Sequence, residues 1–95
     1  RQQWTAEHID ALIHLLAQIR EEMSPPVSQE PPQVHPDALH NPRYATELHP
    51  FSGGTLLEIR HPSLGWMDFV LPSVERIRIT HSLAEQEETW KRFRR

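Results

Sequence analysis

A chain of 95 residues suits one small domain, and its 37% of apolar residues allow only a small core. The formal net charge of −3 argues against a nucleic-acid-binding protein, and the absence of cysteine excludes disulfides and thiolate chemistry. Because no apolar run approaches the ~20 residues of a membrane span and nothing resembles a signal peptide, we expect a cytoplasmic protein.

The first predicted element is an amphipathic helix over residues 4–23. Thr5 is a suitable N-cap, and Glu7 puts a negative charge in the first turn, where the helix dipole favours it. Apolar side chains recur at helical spacing along one side: Ile9, Leu12, Ile13, Leu15, Leu16, Ile19 and Met23. Because an isolated helix of this length is marginal in water, this side should dock on the protein's own sheet or on another protein chain.

Residues 24–54 are predicted to form a proline-rich connection. Six of its first 19 residues are proline, a density that no helix or interior strand tolerates. Residues 43–48 could form one helical turn before Gly53 and Gly54 redirect the chain. Since neither flanking part can bury its apolar side alone, we expect the connection to be a strap within a single domain of residues 1–95.

Residues 55–80 are predicted to form a three-stranded antiparallel β-meander. Its strands are 55–60, 66–71 and the β-branched segment 74–80, and short connections favour antiparallel pairing. A second helix is predicted over residues 82–93, where a capping-box pattern precedes a helical stretch that begins acidic and ends basic. The predicted fold is α+β: an N-terminal amphipathic helix, a proline-rich connection, a three-stranded antiparallel β-meander and a C-terminal helix.

Alternation along the predicted strands gives the sheet two different faces. One is almost purely apolar and should receive the N-terminal helix: Leu57, Ile59, Met67, Phe69, Leu71, Ile77 and Ile79. The other is mixed: Leu56, Glu58, Arg60, Trp66, Asp68, Val70, Val74, Arg76 and Arg78. Aromatic residues and arginine are enriched in interface cores. The candidate protein-binding site on the mixed face therefore comprises Leu56, Trp66, Val70, Arg76 and Arg78. The alternative is that the C-terminal helix covers this face and makes Trp66 a core residue.

Motifs for chemistry are weak. The chain has seven histidines, but it lacks cysteine and any paired ligand motif of a structural zinc site. An alternative function is a small enzyme or metal-binding domain that uses His61, Glu58 and Asp68. Another is a nucleic-acid-binding module that uses the basic C-terminal helix, with Trp90 and Phe93 stacking on bases.

We therefore predict a non-enzymatic interaction module, such as an adaptor or assembly factor, that has no cofactor and no metal. Its partner would be another protein or peptide, held on the mixed face or at an open edge of the sheet. A homodimer formed by helix exchange is the alternative arrangement. The acidic charge balance makes nucleic acid an unlikely partner, and no membrane partner is expected.

Overall fold

The computed structural model describes residues 3–94, which form two helices and a three-stranded antiparallel sheet. In chain order the elements are α1 (Ala6–Glu22), β1 (Tyr44–Leu48), β2 (Thr55–His61), β3 (Gly65–Leu71) and α2 (Ser73–Phe93). The predicted α+β layout of helix, three-stranded meander and helix is confirmed. The chain divides into two compact units, the first ending at Leu39 and the second beginning at His40. The single domain expected from the sequence stays a prediction.

The first unit contains α1, which begins at a reciprocal cap. The Thr5 hydroxyl accepts a hydrogen bond from the His8 backbone N–H at 3.2 Å, and His8 Nδ1 accepts one from the Thr5 N–H at 3.3 Å. The backbone N–H groups of Thr5 and His8, which have no partner within the helix, are thereby satisfied. The predicted N-cap at Thr5 is confirmed. The helix ends at Glu22 because Met23 is extended, with ψ of 151°, and a proline-rich segment follows.

The first strand of the second unit lies within residues 24–54, which the sequence predicted to be a proline-rich connection. The helical turn that residues 43–48 could have formed is not what the structure has, because Tyr44–Leu48 forms β1 and pairs antiparallel with β2. A tight turn joins the two strands: the His49 N–H donates to the Gly54 carbonyl at 2.8 Å, and the Gly53 N–H donates to the His49 carbonyl at 2.8 Å. Gly53 has φ of 75°, which glycine adopts without strain.

The predicted third strand over residues 74–80 is also wrong, because this segment is the first part of α2. The helix begins at Ser73 rather than Ser82, and the Pro72 carbonyl accepts from the Glu75 and Arg76 N–H groups at 2.9 and 3.1 Å. Glu75 pairs with Arg78 at the helical i,i+3 spacing. The Thr80 hydroxyl donates to the Arg76 carbonyl at 2.8 Å. These contacts join residues three and four positions apart, as in a helix. The third strand of the sheet is β1 rather than residues 74–80.

The strand register defines two faces of the sheet, since directly opposed residues point to the same side. The Phe69 face, as we name it, comprises Tyr44, Thr46, Leu48, Thr55, Leu57, Ile59, Met67, Phe69 and Leu71. The Trp66 face comprises Ala45, Glu47, Leu56, Glu58, Arg60, Trp66, Asp68 and Val70. Among residues 3–94, only Gly54 is buried, and no apolar side chain reaches that state. Neither helix in this part of the chain has the length and apolar character needed to cross a membrane.

Candidate functional site

The first part of α2 and the Phe69 face border an open groove of about 710 Å³. The helix contributes Arg76, Ile79, Thr80 and Leu83, and the sheet contributes Tyr44, Thr46, Leu48, Leu57 and Leu71 among others. One Arg76 nitrogen, Nη1, donates to the Gly53 carbonyl at 3.0 Å and to the Thr55 hydroxyl at 3.2 Å. Arg76 thereby links the start of α2 to the turn between β1 and β2.

The apolar walls of this groove remain exposed to solvent. Leu48 on the sheet is 66% exposed, and Leu83 on the helix is 56% exposed. Exposed contiguous apolar surface is a feature of protein–protein interaction sites. The groove is therefore the leading candidate for a protein-binding site.

The structure brings together part of the predicted protein-binding site. Leu56 lies directly opposite Val70, and Trp66 lies opposite Arg60, so these apolar residues share the Trp66 face. Arg76 and Arg78 are not residues of the sheet, because both belong to α2. Arg78 instead contacts Glu75 at 3.1 Å. The expectation of arginines beside Trp66 on the sheet is wrong because it depended on a strand over residues 74–80.

The alternative, in which the C-terminal helix makes Trp66 a core residue, does not hold for the described residues 3–94. The residues of α2 that approach the sheet line the groove on the Phe69 face, and Trp66 itself is 49% exposed. Ile77 and Ile79 were expected on the apolar face as strand residues. Both are helical, yet Ile79 still lines the groove beside that face.

The residues of the alternative enzyme or metal site lie on different sides of the sheet. Alternation along β2 and β3 puts Glu58 and Asp68 on the Trp66 face and His61 on the opposite side. His61 Nδ1 accepts hydrogen bonds from the Ser63 and Leu64 N–H groups at 3.0 and 3.2 Å, which caps the β2–β3 turn. Within residues 3–94, no group of three or more histidine, aspartate or glutamate side chains is arranged to hold a metal ion.

Glu58 and Asp68 oppose each other directly, and like charges at opposed positions of a sheet destabilise it. We predict that Asp68→Lys raises the free energy of unfolding by up to about 1 kcal/mol, because it replaces repulsion with attraction. Asp68→Asn, which removes only the repulsion, should give a smaller gain. Urea unfolding would measure both, and the difference between them should shrink as salt is added. A gain for Asp68→Lys that salt leaves unchanged would contradict the electrostatic origin.

The far end of α2 carries both charge and aromatic surface. Arg94 lies over the Trp90 ring, with its guanidinium carbon 5.9 Å from the ring centroid, and Lys91 pairs with Glu88 at 3.5 Å. A shallow hollow of about 400 Å³ on this part of the helix is lined by Ser82, Glu85, Gln86, Thr89, Trp90 and Phe93. The sequence pointed to Trp90 and Phe93 as helix residues but not to this hollow.

Comparison of the chain with protein-family models, with curated proteins and with solved structures finds no match.

Proposed function

We propose that this chain is a non-enzymatic protein–protein interaction module, of the adaptor or assembly-factor kind, that binds another protein through the groove on the Phe69 face. One observation carries the proposal: the apolar walls of the groove are exposed, while Gly54 is the only buried residue among residues 3–94. Covering an apolar side chain contributes about 1.5–3 kcal/mol when it passes fully from water to a packed interior. A partner that fills the groove therefore gains free energy that the chain alone does not.

An amphipathic helix is the partner element that best fits this site. The groove runs between a helix and the face of a sheet, and helix-in-groove recognition places apolar side chains at i, i+3, i+4 and i+7 into such a surface. Arg76 lies at the groove with its guanidinium fixed by Gly53 and Thr55. A fixed side chain loses little conformational entropy when a partner docks beside it.

The Trp66 face is the weaker candidate for the same function. Its apolar residues Leu56, Trp66 and Val70 lie among the carboxylates Glu58 and Asp68. Interface cores are depleted of aspartate and glutamate, so this acidic environment disfavours a buried contact. The cysteine-free sequence is compatible with the cytoplasmic location that we propose for the module.

Neighbouring residues on β3 provide a matched test of the two faces. Phe69 lies directly opposite the groove residue Leu57 and is 45% exposed, whereas Val70 is 49% exposed and points to the opposite side of the sheet. We expect Phe69→Glu to reduce capture of partner proteins from a source lysate at least about tenfold, because it puts a charge into an apolar contact. Val70→Glu adds the same charge to the same strand and should leave capture near the wild-type level.

Quantitative mass spectrometry of the captured proteins gives the readout, and circular dichroism checks that both variants are folded. Equal capture by wild-type protein and Phe69→Glu would overturn the assignment of the groove. Loss of capture with Val70→Glu alone would move the interaction to the Trp66 face.

A further inference from the structure

The exposed apolar stripe of α2 continues beyond the groove. Ile79, Leu83, Trp90 and Phe93 recur at alternating four- and three-residue steps, with Gln86 at the one polar position between them. This is the a/d spacing of a helix that pairs with another helix. Ile79 and Leu83 line the groove, whereas Trp90 and Phe93 belong to the part of α2 beyond it. The hollow that Trp90 and Phe93 line includes no residue of the sheet, so this second half of the stripe has no partner from the sheet there.

Charge along this second half is segregated. Glu85, Glu87 and Glu88 precede Lys91, Arg92 and Arg94 within a few residues. Two such helices side by side in parallel would oppose acid to acid and base to base. An antiparallel pair places the acidic segment of each helix along the basic segment of the other, and it also opposes the two helix dipoles favourably.

We propose that the partner of this stripe is a second copy of the same chain, bound through an antiparallel pairing of the far halves of α2. This inference rests on the proposed interaction function and names its partner. In the pairing, Leu83 packs against Phe93 of the second copy, and Gln86 packs against Trp90 of the second copy. The interface is isologous, so each contact occurs twice.

The arrangement uses the groove as well as the stripe. Because Leu83 lies both in the stripe and in the groove lining, Phe93 of the second copy arrives at the mouth of the groove. Trp90 and Phe93 are 56% and 77% exposed, and covering them in both copies removes on the order of 500 Å² from water. A standard interface buries about 1,600 Å², so Leu83 and the apolar groove residues must supply much of the remainder. A dimer of this size should dissociate on dilution.

Sedimentation equilibrium over a range of concentrations tests the dimer. The wild-type chain should move from 11.2 kDa toward twice that mass as concentration rises. Trp90→Ala combined with Phe93→Ala should raise the dissociation constant at least about tenfold, since truncation of aromatic anchors typically has that effect. Ile77→Ala is the matched control, because Ile77 is 58% exposed on the same helix but lies off the stripe. A monomer at every concentration, or equal weakening by the control, would overturn the proposal.

Charge reversal tests the antiparallel orientation. Glu87→Arg and Arg94→Glu should each weaken the dimer several-fold, and the double variant should regain most of the loss because it restores opposite charges. Glu85→Arg, on the outer side of the helix, is the matched control. Failure of the double variant to recover would count against the pairing of these segments.

The absence of cysteine allows a direct distance measurement between copies. Spin labels attached through Thr89→Cys lie near the crossing point of an antiparallel pair, whereas labels at Ser82→Cys lie farther from it. The distance between copies should therefore be longer at position 82 by about 10 Å, at 1.5 Å of rise per residue. Equal distances would indicate a parallel pair and overturn the arrangement.

The outcomes separate this inference from the proposed function. A chain that stays monomeric but captures a different protein in a Phe69-dependent way overturns the dimer and supports the interaction module. A chain that stays monomeric and captures nothing overturns both.

Discussion

His81→Pro should disrupt α2 and remove a large part of the helical signal of the second unit. His81 lies in the interior of the helix, where the residue four positions earlier is Ile77. Proline at this position removes the hydrogen bond to the Ile77 carbonyl, and its ring collides with that carbonyl, at a cost of about 3 kcal/mol or more. Far-UV circular dichroism should show the loss of helix, and thermal unfolding should show a lower midpoint.

The matched control is Ser73→Pro at the first position of the same helix. Proline is favoured there because the missing N–H would have no helical partner. Pro72 is already extended, with φ of −58° and ψ of 157°, as a residue before proline requires. We expect Ser73→Pro to leave the helical signal and the midpoint close to wild type. If His81→Pro were equally harmless, the helix would begin after His81, at the boundary that the sequence alone suggested.

That boundary shows why the third strand was misassigned. Residues 76–80 alternate polar and apolar side chains, and the whole segment 74–80 is rich in β-branched types, which is typical of a strand. The same segment also has helical pair spacings, between Glu75 and Arg78 and between Arg76 and Thr80, and the structure uses these. Because helix growth is cooperative, a segment next to strong helix formers joins their helix without a new nucleation cost.

Elements whose local signals agreed were predicted well. The capped amphipathic pattern located α1, and the paired strands β2 and β3 lie close to the predicted ranges. The signal for β1 was present but weaker: Tyr44, Thr46 and Leu48 alternate with Ala45 and Glu47 before a Gly-Gly turn. Alternation then assigns Leu56, Trp66 and Val70 to one face correctly, since it needs only the strands themselves.

The groove could not be predicted from these local signals. It depends on α2 lying beside the Phe69 face and on Arg76 reaching Gly53 and Thr55, which are far from it in sequence. No periodicity in the sequence encodes such a contact. A strand assignment for residues 74–80 would instead direct Arg76 to the Trp66 face, so the error in one element displaced the predicted site.

Among glycine-to-alanine substitutions in the second unit, Gly54→Ala should lower the free energy of unfolding the most. Gly54 is buried, and its carbonyl accepts the hydrogen bond that closes the β1–β2 turn. A methyl group on its α-carbon would collide with the backbone carbonyl of Leu71 at the end of β3, and backbone cannot move aside as a flexible side chain can. Inserting a methyl group where there is no space costs typically 1–3 kcal/mol and occasionally more. The midpoint of thermal unfolding should fall by roughly 10 °C for a unit of this size.

The adjacent Gly53 supplies the control, because it isolates backbone conformation from packing. Gly53 has φ of 75°, and a methyl group there would meet nothing within 4 Å. Gly53→Ala should therefore cost only the left-handed backbone penalty of about 1–2 kcal/mol, and Gly53→Asn should cost less, since asparagine tolerates this conformation. Asparagine at position 54 should bring no such relief, because the collision there is steric. A Gly54→Ala variant as stable as Gly53→Ala would show that β2 can shift away from Leu71, and that the end of β3 is not fixed against the turn.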